Sequence, residues 1–293
     1  MTKLPRLFYF CFFLIAAGLC QAADDKAPAT SDAMTDPATR QLPDWQLLEF
    51  EERAFWAVAR SRLEIRPVAD DPQQWELDVL NSVVDNSEQI IVRFDPASGR
   101  VITRSRLSRG KEQRLKTYQY EDDFVLRKRL VPDAQSAGTP EEWPVSNSQK
   151  VRYPDVDVTS AAFVTSPYVL VILAQRLQQL GDDQSLELLV HTDLNFYRVR
   201  MSSGNGVPID VDYQISGGEH VSGKTDTTAV ALHVTPAGTP QEDNDFSLFG
   251  LQGEIILFFD RSSGLPLQVR GSAPRIGSTN INLKSATLRE PAP

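Results

Sequence analysis

The chain has 293 residues and a formal net charge of −9 at pH 7, from 39 acidic against 30 basic residues. That balance excludes a general nucleic-acid binder, which needs a basic surface. The two cysteines, Cys11 and Cys20, both lie at the amino terminus.

Met1–Ala22 reads as a secretory signal peptide. Lys3 and Arg6 form the positive region, Leu7–Leu19 the apolar region, and Cys20-Gln21-Ala22 the cleavage site before Ala23. Leu19 stands where a lipoprotein signal needs a small residue, so lipidation at Cys20 is the lesser reading. The organisation is bacterial and the expected destination is the periplasm. Cleavage removes both cysteines, and with them disulfides, thiolate catalysis and cysteine metal sites. It also removes Lys3 and Arg6 and no acid, so the mature chain is more acidic still.

Residues 23–43 are rich in Ala, Asp, Thr and Pro and are expected to be a disordered tether. Residues 44–289 are expected to form a single β-rich domain, with 132–149 as the place where it would subdivide. Asp44–Trp56 fits two elements: a short helix capped by Asp44 or a first strand. Alternation in Ala57–Arg66 predicts a half-buried strand. Strands are predicted at Trp75–Val84, Glu88–Phe94, Arg100–Leu107, Gln113–Tyr120 and Phe124–Val131, at the turn-bounded spacing of antiparallel sheet.

One helix is predicted, over about 167–180. Ser166 is its expected N-cap, Pro167 suits its first turn and Gly181 closes it. Val169, Leu170, Leu173, Leu177 and Leu180 form its apolar face. Strands follow at Ser185–His191, Phe196–Ser202, Pro208–Ser216 and Ala229–Val234. The chain closes on a meander over Glu254–Leu288, whose Asp260 and Gly264 bracket a turn. The same pattern, apolar run, Asp, two residues, Ser-Gly, occurs at Ile90–Val101, so Asp95 and Asp260 are turn residues first.

Motifs for chemistry are sparse. His191, His220 and His233 lie at no helical metal spacing, and HExxH, GxSxG, Walker and dinucleotide patterns are absent. The pairs Asp155/Asp157 and Asp210/Asp212 read as solvated strand faces. No catalytic residue, no metal and no cofactor is expected. Arginine at i,i+2 is the unusual feature: Arg60/Arg62, Arg104/Arg106, Arg127/Arg129 and Arg198/Arg200 each project to one side of a strand. With Lys111, Arg114 and Lys116 they make a basic zone inside an acidic protein.

The helix after Ser166-Pro167, the strands behind it and the closing FFDRSSGLPLQVRGSAPRIGSTNINL resemble an uncharacterised family of exported bacterial β-proteins, over Phe163–Leu288. At the level of fold the chain is similar to the lipoprotein carriers LolA and LolB, whose curved sheet wraps helices over an apolar cavity. That likeness implies a mainly β fold: an antiparallel curved sheet or open half barrel with one packed helix. The function expected is a non-catalytic envelope protein that binds an apolar or amphipathic ligand such as lipid. Phe163, Tyr168, Ile172, Phe249 and Phe258 are the expected lining residues. The alternative is an envelope interaction protein whose partner is anionic and docks on Arg60, Arg62, Arg104, Arg106, Arg127 and Arg129.

Overall fold

A computed structural model describes residues 43–54, 57–133, 138–155, 164–240, 245–274 and 276–289. The expected signal peptide, nearly all of the expected tether, Asp157 and Phe163 lie outside the described residues.

The fold is mainly β, one large sheet around one α-helix. The amino-terminal half runs as β1 (Trp45–Ala54), β2 (Ala57–Val68), β3 (Asp71–Val83), β4 (Asn86–Phe94), β5 (Val101–Arg109), β6 (Arg114–Tyr120), β7 (Phe124–Leu130) and β8 (Val145–Arg152). Each strand pairs antiparallel with the next, because short turns return the chain directly beside itself. The sheet continues through 132–149, where β8 pairs with β7 behind a short 3-10 turn at Pro140–Glu142.

The carboxy-terminal half comprises β9 (Val164–Thr165), the helix α1 (Val169–Gln179), β10 (Ser185–His191), β11 (Phe196–Asn205), β12 (Ile209–Ile215), β13 (His220–Thr225), β14 (Thr227–Ala237), β15 (Gln252–Asp260), β16 (Pro266–Ala273) and β17 (Gly277–Leu288). Here the ladder runs β17, β16, β15, β14, β11, β10, with β9 added in parallel to β10. The β12–β13 hairpin branches off between β11 and β14 and touches β17 through two parallel pairs. Strand β1 pairs with β2 on one side and β17 on the other, so it joins the halves. Among the described residues β8 and β9 do not pair, and the sheet stays open there.

Of the stretch Asp44–Trp56, Trp45–Ala54 enters the fold as strand. Trp45, Leu48 and Phe50 are buried, and Trp45 donates its indole N–H to Gln175 Oε1 at 2.8 Å. That contact spans 130 residues, which local spacing cannot reveal.

Helix α1 fills the concave side. Every residue from Val169 to Leu177 is buried. A helix apolar on most of its circumference belongs in an interior, and each buried Leu or Ile contributes roughly 1.5–3 kcal/mol. Two matching turns hold it. At Asp95–Gly99 the Gly99 N–H bonds to Asp95 O (2.8 Å), and the Asp95 carboxylate accepts from Ala97 N and Ser98 Oγ, both at 2.8 Å. At Asp260–Gly264 the Gly264 N–H bonds to Asp260 O (2.8 Å), and the carboxylate accepts from Ser262 N and Ser263 N. Both turns abut the helix. A Cβ on Gly99 would meet Leu173 Cδ1 at 2.9 Å, and one on Gly264 would meet Gln178 Nε2 at 2.9 Å. Both glycines have positive φ, +82° and +70°, as these turns require.

The helix start differs from expectation. Helical hydrogen bonding begins at Val169 rather than Pro167, and Tyr168 takes the N-cap position with no side-chain cap. The preceding turn is closed through backbone bonds from Val169 N to Ser166 O and Leu170 N to Pro167 O. The Ser166 hydroxyl caps nothing.

Gly99→Ala should lower the unfolding free energy by about 1–3 kcal/mol through backbone strain, with a further loss from the clash against Leu173. Gly217→Ala, at φ +108° with nothing within 4 Å, carries the strain alone. Urea denaturation should therefore rank Gly99→Ala as the more damaging. Equal losses would mean that the contact with α1 has no energetic weight.

Candidate functional site

The register of β5, β6 and β7 builds a grid of cations. Arg104 lies opposite Tyr118, which lies opposite Arg127. One step along, Arg106 lies opposite Lys116, which lies opposite Arg129. The Arg104 row continues to Val92 and the Arg106 row to Ile90, two buried core positions, so the grid faces the concave side. Directly opposed side chains on neighbouring strands sit within about 5 Å of one another, and like charges there destabilise. Arg106, Lys116 and Arg129 form such a row across three strands.

One carboxylate from the other half enters this grid. Asp193, in the turn between β10 and β11, accepts from Arg127 Nε (2.6 Å) and Nη2 (3.2 Å), from Tyr118 Oη (2.7 Å) and from Lys116 Nζ. The fork of Arg127 grips both carboxylate oxygens, the strongest geometry for such a pair. Burial alone would raise the Asp193 carboxyl, but Arg127, Lys116 and Tyr118 hold it well below the usual carboxylate range. Burial pulls the Lys116 ammonium down, against the raising effect of Asp193.

The turn itself is braced by Asp245. Its Oδ1 accepts from Thr192 Oγ1 (2.7 Å), Tyr197 Oη (2.9 Å) and Asn195 Nδ2 (3.0 Å), and its Oδ2 from Asp193 N (3.1 Å). Arg104 has no carboxylate partner among the described residues. Its Nη1 donates to His191 O at 2.7 Å, its Nη2 to Thr192 O, and its guanidinium lies 4.0 Å over the Tyr118 ring. His191 is fully buried, 3.1 Å from Tyr120 Oη. Burial first, and Arg104 second, push it well below the ordinary histidine value, so it is neutral.

Between the grid, the turn and the start of α1 lies a cleft of about 60 Å³. Glu88, Arg104, Arg106, Ser166, Tyr168, Asp193 and Asp245 contribute its polar wall. Arg106 Nε donates to Glu88 Oε1 at 2.5 Å, and Arg106 keeps 38% of its side-chain surface. Tyr168 donates no charge; burial pushes its phenol up to about 12. Outward from Glu88 runs a second groove of about 440 Å³, lined in part by Val83, Arg109, Lys111 and Arg114.

The sequence-selected residues divide accordingly. Arg104, Arg106, Arg127 and Arg129 come together on one face. Arg60 and Arg62 point to the other side of β2, where they pair with Glu51 (3.3 Å) and Glu64 (2.8 Å). Ile172 and Phe258 are packed core residues, and Phe249 stacks between Phe50 and Tyr168 at 5.7 and 5.6 Å. Of the expected lining residues that are described, Tyr168 alone lines the cleft, and its hydroxyl accepts from Asn81 at 2.8 Å. Asp210 and Asp212 are exposed on β12, with Asp212 bonded to His220 (2.9 Å) and Lys284 (3.2 Å). Among the described residues no cluster of His, Cys, Asp and Glu could hold a metal ion. Glu88, Asp193 and Asp245 were not selected from sequence, since only the fold places them against the arginines.

No family model matches the chain, and no curated protein matches it. A solved structure described as a beta-barrel-like protein of domain of unknown function DUF1849 from Brucella abortus is similar at 9% identity and a TM-score of 0.45. The match covers 85% of this chain and 100% of that one.

Asp193→Asn should cost about 3–5 kcal/mol at pH 7, because it leaves buried cations without their counter-charge. The folded pKa is depressed, so this contribution is present above the unfolded value near 3.8 and is lost as pH falls through the folded value. Urea denaturation of both proteins should show a gap that closes only in strong acid. His191 titrates in both; its contribution is full above about pH 6.5 and declines below, and because the Asp193 carboxylate favours the charged ring, the decline is the steeper in Asp193→Asn. Equal stabilities at pH 7 would contradict the clasp.

Proposed function

We propose that this chain is a non-catalytic, exported envelope protein that binds an amphipathic ligand through its anionic head. The carrying observation is the row Arg106, Lys116, Arg129, three cations directly opposed on adjacent strands beside the half-buried cleft. Such a row opposes folding unless an anion offsets it, and Asp193 and Glu88 offset only part of the grid. Fields of one sign in a cleft attract counter-charge.

The amphipathic part of the reading rests on the rim. Val83, the last residue of β3, and Val84, in the turn to β4, are 44% and 59% exposed. Val84 holds a positive φ of 53°, an unfavourable conformation for a β-branched residue. Val83 lines the outer groove with Arg109, Lys111 and Arg114, so apolar and basic groups share it. A hollow carrier interior on the pattern of LolA and LolB is not part of the proposal, because α1 fills the concave side. Pairing holds the Asp193 carboxyl well below its ordinary value and burial holds the Tyr118 phenol above its own, so each keeps one charge state near neutrality, which supports binding rather than proton transfer.

Flotation with vesicles tests the reading. The protein should associate with vesicles containing phosphatidylglycerol and not with pure phosphatidylcholine. Arg106→Glu with Arg129→Glu should bind at least about tenfold more weakly, on the order of 1 kcal/mol for each charge near an anionic surface. Wild type that ignores anionic vesicles, or a double variant that binds equally, removes the proposal.

A further inference from the structure

Three polar groups around the cleft determine what it can hold. Ser166 is 0% exposed, lines the cleft, and its Oγ has no hydrogen-bond partner among the described residues. Arg104 is 7% exposed, and its Nε is likewise without a partner among them. Arg106 reaches the same cleft with part of its guanidinium surface open. A buried hydroxyl or N–H left without a partner costs on the order of 1–3 kcal/mol, so each unused donor asks for an acceptor.

The acceptors already present are engaged, Glu88 Oε2 excepted. Asp193 receives Arg127, Lys116 and Tyr118. Asp245 receives Thr192, Asn195, Tyr197 and the Asp193 amide. Glu88 receives Arg106 and Ser108 through Oε1. What remains is a donor surplus on Arg104 and Ser166, with Arg104 resting on two carbonyls and the Tyr118 ring and on no carboxylate among the described residues. Helix α1 adds the positive end of its dipole at Ser166–Tyr168. Its first amides are occupied by turn bonds, so the serine hydroxyl carries the local contact.

From this we infer that the cleft is a subsite for one tetrahedral oxyanion of the phosphate class, held by Ser166 Oγ, Arg104 and Arg106. It rests on the anionic-ligand reading above and specifies the head group. A volume of about 60 Å³ admits a single small group and no acyl chain. A free phosphate and the phosphodiester of a lipid head present the same oxygens.

The experiment is calorimetric titration of the full chain with inorganic phosphate and, separately, with monomeric dihexanoyl phosphatidylglycerol. Ser166→Ala is the deciding variant. Its hydroxyl supports nothing in the fold, so the melting temperature should stay equal or rise. Affinity should fall by about tenfold or more, as expected for a hydrogen bond to a charged group. Loss with both probes assigns the site to the oxyanion itself. Binding and loss with the lipid alone assign it to a head group. If Ser166→Ala binds either probe as wild type does, the subsite is overturned, while the wider proposal stands as long as the Arg106→Glu, Arg129→Glu protein fails on vesicles. If wild type binds neither probe, the subsite is overturned whatever the vesicles show.

Discussion

A single carboxylate joins the two halves of this molecule at their most charged point. Asp193 leaves the carboxy-terminal half on a turn braced by Asp245 and enters the cation grid of β5–β7. Without it, Lys116 and Arg127 would be buried charges with no counter-ion, which no sheet tolerates cheaply. With it, the grid is only partly neutralised. Arg104 leans on carbonyl oxygens and an aromatic face, and Arg129 still lies opposite Lys116. The clasp therefore makes the basic face foldable and leaves it electrostatically incomplete.

The rest of the architecture keeps that face in position. A sheet of this size with one apolar side must cover it, and α1 does so from within, pinned by the twin turns at Asp95–Gly99 and Asp260–Gly264. The helix starts beside the cleft, which places Ser166 within the wall rather than at a solvent cap. Strand β1 then ties β2 and the last strand, β17, into one ladder. Packing and charge are thus largely separated along the concave side, with the buried Arg176 of α1 the exception. Aliphatic residues surround the helix, and cations hold the end where the helix begins.

Much of the fold was legible because its signals are local. The Asp-x-x-Ser-Gly turns announce themselves through side-chain acceptors and a positive-φ glycine, and strand alternation follows from burial on one face. Trp45–Ala54 was ambiguous because its apolar spacing suits either period, and pairing with β17, from the far end of the chain, decides it. Ser166 looked like a cap by residue type, yet the turn at Pro167 closes through the backbone and frees the hydroxyl. The arginine pairs showed which residues share a face but not which face it is. Arg60/Arg62 and Arg104/Arg106 have the same spacing and opposite orientations. What separates them is register, together with Asp193 and Asp245, whose roles exist only once the halves meet.

These features converge on one claim: the basic face of β5–β7 carries an open place for an oxyanion. A ligand that binds only the folded state raises its stability in proportion to occupancy. The most direct measurement is the melting temperature of the chain in phosphate and in chloride at equal ionic strength and pH. The account predicts a rise with phosphate concentration beyond that seen in chloride, and one larger than in Ser166→Ala, which shares the general stabilising effect of phosphate. Identical melting curves in the two salts would contradict it.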